Sequence, residues 1–259
     1  MLLGLVEKMV DCLFAVIPQP RPSPRQVKQA LVIAHRGAHD TSQGIIENTL
    51  PAFERAKALG CWGIELDVHS TADGVFVVHH DRNLKRLWQH NATIDSLTFK
   101  ELRARAPDIP LLAEVIALYK QDLHLFIELK APVKHSKRLQ AILKDCRAIE
   151  DYHVISLEPA FFNPLSFLDS RALLLVAGHN NVRQLCELSL SQHYGGLLGN
   201  YLLCSAKIRA QLKQAHQYCG VGFIDSKNTL YRELNRNMIW LFTNKAQQLS
   251  QYLTPLQTL

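Results

Sequence analysis

The chain has 259 residues, of which 47% are hydrophobic, so it is long enough to bury one large core. This length would also allow two domains, although α/β barrels of this size fold as one. The formal charge of +6 comes from basic residues that are scattered along the chain, which disfavours nucleic-acid binding and is compatible with a mild attraction for anionic substrates or lipid head groups.

The first segment, residues 1–17, carries an apolar stripe at helical spacing. Charges at Glu7, Lys8 and Asp11 interrupt it, which is atypical of a secretory signal or a membrane span. We favour a helix that packs across one end of the following domain. Peripheral contact with a membrane is the alternative, although the polar face is not rich in Lys and Arg. A proline-rich connector follows it.

The six cysteines are widely spaced and form no CxxC pair. In a chain of this size, the spacing favours buried, reduced thiols over a disulfide framework, and it supports no zinc site. Together with the lack of a secretory signal, it indicates a cytoplasmic protein.

Beyond the connector, short apolar segments that are typical of strands alternate with amphipathic helical segments. The predicted strands are Leu31–Ala34, Trp62–Leu66, Val75–Val78, Leu125–Leu129, His153–Ser156, Leu173–Val176, Gly195–Leu198, Gly220–Ile224 and Met238–Phe242. The predicted helices are Thr49–Gly60, Leu97–Ala104, Leu111–Lys120, Lys134–Glu150, Val182–Ser191 and Ala206–His216.

The third predicted strand follows a tight-turn signal at Asp73-Gly74, so we predict that it is a hairpin excursion returning along the strand before it. The remaining eight strands alternate with helices. This alternation predicts an α/β fold with a single (β/α)8 TIM-type barrel over residues 31–259, preceded by a helix and connector in residues 1–30. An open doubly wound sheet is the alternative, but no GxGxxG follows the first strand.

Two carboxylates, Glu65 and Asp67, stand at i and i+2 on the second predicted strand and therefore project from one face. In a barrel that face is the interior, where they repel each other unless a positive charge or a proton intervenes. Ion pairs with Arg36 or Lys130 are the simpler interpretation. Because buried acidic residues seldom lack a partner or a metal, we favour a divalent cation with Glu128 as third ligand. Oxygen ligands favour Mg²⁺ or Ca²⁺ over zinc.

Two histidines, His35 and His80, directly follow strand-like segments. A lone histidine is usually a structural hydrogen bonder, but two at strand ends beside carboxylates indicate acid–base chemistry. His69 and His79 are competing candidates. We favour His80 over His79 because the two face opposite sides of an extended chain.

A longer pattern of residues runs from Leu31 to Lys130. Its members are His35-Arg36-Gly37, Glu47-Asn48-Thr49, Ala52-Phe53, Ala56, Gly60, Ile64-Glu65, Asp67, Thr71, Asp73-Gly74, Val77-Val78, His80-Asp81 and Ile127-Glu128-Leu129-Lys130. This pattern resembles the glycerophosphodiester phosphodiesterase family. The likeness fades further on, where Asn228 alone can be matched to the family's WTVN strand end and its closing TD is Thr243-Asn244.

The resemblance implies metal-dependent hydrolysis of a small-molecule glycerophosphodiester to sn-glycerol 3-phosphate and an alcohol. It implies that His35 and His80 are the acid–base pair, in either order, and that Glu65, Asp67 and Glu128 hold the cation. The predicted substrate- and phosphate-binding residues are Arg36, Lys130, Glu47 and Asn48. Capping of the first helix of the barrel by Asn48-Thr49 is the alternative to a contact of Asn48 with ligand.

Three other functions compete with this one. The first is a lysophospholipase D that acts on membrane-derived lysolipids, and the apolar N-terminal stripe supports it. The second is a catalytically inactive barrel used for binding, and the intact set of site residues argues against it. The third is sugar hydrolysis by Glu65 and Asp67, which is disfavoured because carboxylates at i and i+2 do not flank a bond from opposite sides.

Overall fold

The computed structural model describes residues 13–178 and 181–257. The strands in these residues are β1 (Leu31–His35), β2 (Gly63–Ser70), β3 (Phe76–Val78), β4 (His124–Leu129), β5 (Tyr152–Ser156), β6 (Leu173–Ala177), β7 (Gly196–Asn200), β8 (Tyr218–Gly222) and β9 (Trp240–Thr243). The α-helices are α1 (Pro24–Lys28), α2 (Leu50–Ala58), α3 (Lys85–Trp88), α4 (Phe99–Arg105), α5 (Leu112–Tyr119), α6 (Ser136–Leu143), α7 (Val182–Ser191), α8 (Ala206–Gln214), α9 (Lys227–Asn235) and α10 (Ala246–Gln257).

All strands except β3 form one closed parallel barrel. The order around it is β1-β9-β8-β7-β6-β5-β4-β2, and β1 closes it by pairing with both β2 and β9, so that Ile33 lies opposite Gly63 and Phe242. The predicted TIM-type barrel is therefore confirmed, and the open sheet is excluded. Its C-terminal strand ends are the face on which this fold places active sites.

The hairpin excursion is also confirmed. Strand β3 runs antiparallel to β2, with Val78 opposite Val68. In the turn between them, the Gly74 amide donates to the Thr71 carbonyl at 3.0 Å, and Gly74 has a φ of 75° that favours glycine.

Several predicted boundaries were wrong. Strand β8 begins two residues earlier than predicted and ends at Gly222, because Phe223 adopts a left-handed φ of 65°. The helix predicted over Lys134–Glu150 is confined to α6, and Ile149, with a φ of 75°, turns the chain toward β5. The two 3-10 helices between β5 and β6 are Pro159–Phe162 and Ser170–Ala172.

The barrel interior is filled by large apolar side chains from alternate strand positions. They are Ile33, Phe126, Ile155, Leu174, Leu198, Trp240 and Phe242. Toward the N-terminal strand ends, Trp62 stacks on His124 with ring centroids 4.5 Å apart, and Tyr218 stacks on Trp240 at 4.3 Å. These rings close that end of the barrel.

The N-terminal segment is described from residue 13 onward, and most of its predicted stripe lies outside the described residues. Residues 13–16 are helical, and Phe14 packs edge-on against Tyr201, with 6.0 Å between ring centroids. The Asn228 amide donates to the Ala15 carbonyl at 2.7 Å. Asn228 thus anchors this segment from α9, and the strand-end role considered for it is wrong. Whether residues 1–17 pack as one helix stays a prediction.

Within the described ranges, the structure contains no helix that combines the length and apolar character needed to cross a bilayer. The cysteines in these ranges are free thiols.

Candidate active site

Three carboxylates converge at the C-terminal ends of β2 and β4. Glu65 and Asp67 project from one face of β2, and the parallel register places Glu128 of β4 directly opposite Asp67. All three are buried, and each offers a ligand oxygen within 4.8 Å of the other two. The convergence that the i, i+2 spacing predicted is therefore present.

Two cations partly balance this cluster. Lys130 Nζ lies 2.7 Å from Glu128 Oε1 and 3.4 Å from Asp67 Oδ1, and Arg36 Nε lies 3.4 Å from Asp67 Oδ2. Burial acts to raise the pKa of Asp67, but Lys130 and Arg36 outweigh it and lower that pKa. Burial and the negative charge of Asp67 raise the pKa of Glu65 well above its usual range, and they also raise the pKa of Glu128. Ion pairing therefore accounts for Asp67 but not for Glu65.

Two buried oxygens of the cluster, Glu65 Oε1 and Asp67 Oδ1, accept no hydrogen bond from the described residues, and the ion pair with Lys130 at 3.4 Å is the contact that Asp67 Oδ1 makes with a cation. Buried carboxylate oxygens without a partner are costly unless a cation coordinates them. The donor set contains oxygen atoms alone, which is the ligand type of Mg²⁺ and Ca²⁺. The residues therefore fit a divalent cation.

Asn48 fixes the orientation of Asp67. Its side-chain amide donates to Asp67 Oδ2 at 2.8 Å, and its carbonyl oxygen accepts from the Asp67 backbone N–H at 3.2 Å. Of the Asn48-Thr49 pair considered for capping, Thr49 occupies the N-cap position of α2, without a side-chain hydrogen bond to the helix, and Asn48 does not cap it. Asn48 holds a left-handed φ of 57°, a conformation that asparagine tolerates better than most residues.

His35 ends β1 beside the carboxylates. Its Nδ1 lies 2.7 Å from Asn244 Oδ1, and its Nε2 lies 3.7 Å from Glu65 Oε2. Burial, followed by the positive charge of Arg36, lowers the pKa of His35 to about 4. The imidazole is therefore neutral at neutral pH.

His80 lies across the mouth and is held by a carboxylate–arginine network. Its Nδ1 lies 2.7 Å from Asp81 Oδ1, and Arg86 Nε donates to Asp81 Oδ2 at 2.6 Å. Arg86 also donates to Glu47 Oε1 at 2.6 Å, and Arg36 donates to the same oxygen at 3.0 Å. Burial opposes these two arginines, which nevertheless lower the pKa of Glu47 to about 2.

The competing histidines turn away from the mouth. His79 is buried and its Nε2 lies 3.3 Å from the Asn83 carbonyl oxygen, while His69 Nε2 lies 3.2 Å from the His80 carbonyl oxygen. His35 and His80 line the central cavity, and neither His69 nor His79 is among the described residues that do so. His80 thus faces the cavity and His79 does not, as the alternation of side chains along an extended chain predicted.

The cavity above these groups measures about 470 Å³ and has two unlike walls. The polar wall contains His35, His39, Arg36, Glu47, Glu65, His80, Glu128, Lys130, Asn200 and Asn244. The apolar wall, from the ends of β5 to β9, contains Ile155, Leu157, Val176, Ala177, Leu198, Phe223 and Phe242. Leu157 and Phe223 are 40% and 44% exposed.

Sequence reasoning did not assign His39, Asn200 or the apolar wall. Burial lowers the pKa of His39, and the nearby Glu47 carboxylate opposes that effect. For the side of the cavity formed by the last strands, the sequence offered one indication, which was the position of Asn244 at the end of the last strand. The apolar wall had none, because its members come from five separate strand ends.

The model of the Glycerophosphoryl diester phosphodiesterase family matches residues 35–217, which contain the whole carboxylate and histidine cluster. The chain belongs to this family. It is 34% identical over 137 residues to a glycerophosphodiester phosphodiesterase of Caldanaerobacter subterraneus subsp. tengcongensis, covering 48% of this chain and 54% of that protein.

Two further proteins, one curated relative and one solved structure, are similar to this family member. A lysophospholipase D of Homo sapiens is 37% identical over 92 residues, covering 34% of this chain and 28% of that protein. The chain thus spans about half, or less, of the length of these curated relatives. The structure of an Oleispira antarctica phosphodiesterase in complex with the product sn-glycerol-3-phosphate aligns with a TM-score of 0.72 at 20% identity, covering 86% of this chain and 96% of that one. That likeness establishes the shared fold.

Proposed function

We propose that this chain hydrolyses glycerophosphodiesters to sn-glycerol 3-phosphate and an alcohol. The observation that carries the proposal is the cluster of three buried carboxylates, two of whose oxygens accept no hydrogen bond from the described residues, beside the cavity that His35 and His80 line. Family membership supports it, as do the names of the Caldanaerobacter relative and of the product bound by the Oleispira protein.

In this proposal, Glu65, Asp67 and Glu128 hold a divalent cation, Mg²⁺ or Ca²⁺. When bound, such a cation neutralises charge on the phosphoryl oxygens and polarises them. Arg36 and Lys130 flank the carboxylates and face the cavity, where their N–H groups can donate to phosphate oxygens. Glu47 and Asn48 act on these groups: Glu47 holds Arg36, and Asn48 holds Asp67.

Proton transfer falls to His35 and His80. Cleavage of a phosphodiester requires a base that activates the attacking oxygen and an acid that protonates the departing alkoxide. The two imidazoles line one cavity, and each is oriented through Nδ1, by Asn244 for His35 and by Asp81 for His80. Each therefore presents Nε2 for proton transfer.

A second candidate function is lysophospholipase D activity on membrane-derived lysolipids. The apolar wall favours it, because Leu157 and Phe223 expose large apolar surface beside the catalytic groups and offer a place for an acyl chain. The human lysophospholipase D relative supports it as well.

A panel of substrates tests both candidates. The panel contains glycerophosphocholine, glycerophosphoethanolamine, glycerophosphoglycerol and lysophosphatidylcholine of several chain lengths, each with added Mg²⁺ or Ca²⁺. We expect release of sn-glycerol 3-phosphate from the soluble diesters and its loss in His80→Ala, with His69→Ala as the matched control. A rate that rises with acyl length, with lysophosphatidic acid as product, would instead support the lysolipid function. Turnover of no diester with either cation would refute both.

A further inference from the structure

A carboxylate outside the catalytic cluster controls the residue that holds His35. Asp225 follows β8, and its Oδ1 accepts from the Thr243 hydroxyl at 2.8 Å and from the Asn244 backbone N–H at 2.9 Å. Its Oδ2 accepts from Asn244 Nδ2 at 3.3 Å. Asp225 therefore contacts both the main chain and the side chain at the end of β9.

These contacts determine which way the Asn244 amide points. A carboxylate only accepts hydrogen bonds, so the amide nitrogen of Asn244 must face Asp225 and its oxygen must face His35. That oxygen, in turn, only accepts, so the proton on the neutral imidazole resides on Nδ1 at the 2.7 Å contact. Nε2 is then left with a free lone pair, and it is the ring nitrogen on the side of Glu65.

We propose that Asp225 is a positioning residue for catalysis, which acts through Asn244 to hold His35 in the tautomer protonated on Nδ1. This inference rests on the proposed function for its kinetic consequence, but the tautomer itself exists with or without substrate. If the Asn244 amide turned over, its N–H would meet the Nδ1 proton, and His35 would have to carry its proton on Nε2. In that tautomer His35 accepts no proton at the atom nearest the carboxylate cluster.

The test exchanges the two side chains. In Asp225→Asn, the new amide can donate to Asn244, which turns the Asn244 oxygen away from His35. In the double variant Asp225→Asn with Asn244→Asp, residue 225 donates and residue 244 accepts from His35, so the original direction of the hydrogen bonds returns. Thr243→Val is the structural control, because it removes one contact of Asp225 and leaves the Asn244 amide engaged.

The first readout is the nitrogen-15 spectrum of the imidazoles at neutral pH, with His35 assigned from its absence in His35→Ala. We expect a protonated Nδ1 in the wild type, the double variant and Thr243→Val, and a protonated Nε2 in Asp225→Asn. A wild-type His35 protonated on Nε2 would overturn the proposal, even in a protein that cleaves no diester.

The second readout is kinetic. We expect Asp225→Asn to lower kcat by about 10- to 100-fold with little change in KM, and the double variant to recover most of that loss. Thr243→Val should stay within about twofold of the wild type. Equal losses in Asp225→Asn and Thr243→Val, or no recovery in the double variant with His35 still protonated on Nδ1, would overturn the positioning role. Wild-type turnover of no diester would refute the proposed function and leave the spectrum to decide the tautomer.

Discussion

The two ends of the barrel use buried histidines in opposite ways. Toward the N-terminal strand ends, His124 Nε2 lies 2.8 Å from His153 Nδ1. Both rings pack against Phe126 and Trp240, and His124 also stacks on Trp62. Burial lowers the pKa of His124 to about 4, and burial together with His124 lowers that of His153 to about 3. At the mouth, burial gives His35 an equally low pKa of about 4.

A low histidine pKa therefore does not mark the functional end. The difference lies in what surrounds the rings. The mouth has three buried carboxylates, flanking cations and an open cavity. The rings of the other end pack against one another, and His153 Nε2 is buried there without a hydrogen-bond partner among the described residues. This contrast predicts that changes at the mouth affect activity and that changes at the opposite end affect stability.

The largest effect should come from removing the cation. We expect chelation to abolish turnover and Glu65→Ala or Asp67→Ala to abolish tight cation binding, because each variant deletes a buried carboxylate that can coordinate the cation. Calorimetry of Mg²⁺ and Ca²⁺ binding measures this. Asp40→Asn is the control, since Asp40 pairs with Arg55 outside the cluster. Full turnover in excess EDTA by protein that carries no metal would show that the three carboxylates do not hold a catalytic cation.

The histidines come next. We expect His35→Ala and His80→Ala each to reduce kcat by roughly a hundredfold or more, which is the usual scale for acid–base groups. His69→Ala and His79→Ala should lose far less, because their rings bond to backbone carbonyls and do not line the cavity. An essential His79 beside a dispensable His80 would show that the assignment is wrong by one residue.

At the N-terminal end of the barrel, we expect acid to lower the free energy of unfolding. The folded pKa values of His124 and His153 lie below the unfolded value near 6.5, so the unfolded state binds more protons below pH 6.5. Their stabilising contribution is complete above pH 6.5 and falls by about 1.4 kcal/mol per pH unit for each histidine as the pH drops toward 4.

The variant His153→Phe isolates this effect, because phenylalanine keeps a ring stacked on Phe126 and does not titrate. Denaturant unfolding between pH 7 and 4 should show a shallower loss of stability than in the wild type, with activity at neutral pH within about twofold. His90→Ala, at an exposed position, should keep the wild-type slope. An unchanged slope in His153→Phe would show that His153 does not contribute to the loss of stability in acid.

The sequence predicted the mouth better than its surroundings because much of the mouth depends on local geometry. The two-residue period of a strand places Glu65 and Asp67 on one face, and the parallel register adds Glu128. The contact between His35 and Asn244 joins residues 209 positions apart, and Asp225 reaches it from a third strand end. No local pattern indicates such a contact. The left-handed conformation of Phe223 could not be predicted from the sequence either, because strand propensity favoured a β8 that continues through this residue.

The smallest effect concerns residues 13–17, which contact Tyr201 directly after β7 and Asn228 of α9. Phe14 packs between Tyr201 and the Arg232 guanidinium, which lies 4.7 Å from its ring centroid. We expect Phe14→Ala to lower the free energy of unfolding by about 1–2 kcal/mol, because it removes an edge-to-face pair and a cation–π contact. Val16→Ala is the matched control and should change little, since Val16 is 71% exposed.

Deleting residues 1–17 extends this test to the part of the stripe outside the described residues. If the segment belongs to the fold, the deletion lowers the melting temperature at least as much as Phe14→Ala does, and anionic vesicles change nothing. If it is instead a membrane contact, the truncated protein keeps its stability and stops sedimenting with vesicles. The contacts of Phe14 and Ala15 with α9 and Tyr201 favour the first outcome. The second would make the exposed side chains of Leu157 and Phe223 the inner part of a lipid-facing surface, and it would place lysolipids ahead of soluble diesters as substrates.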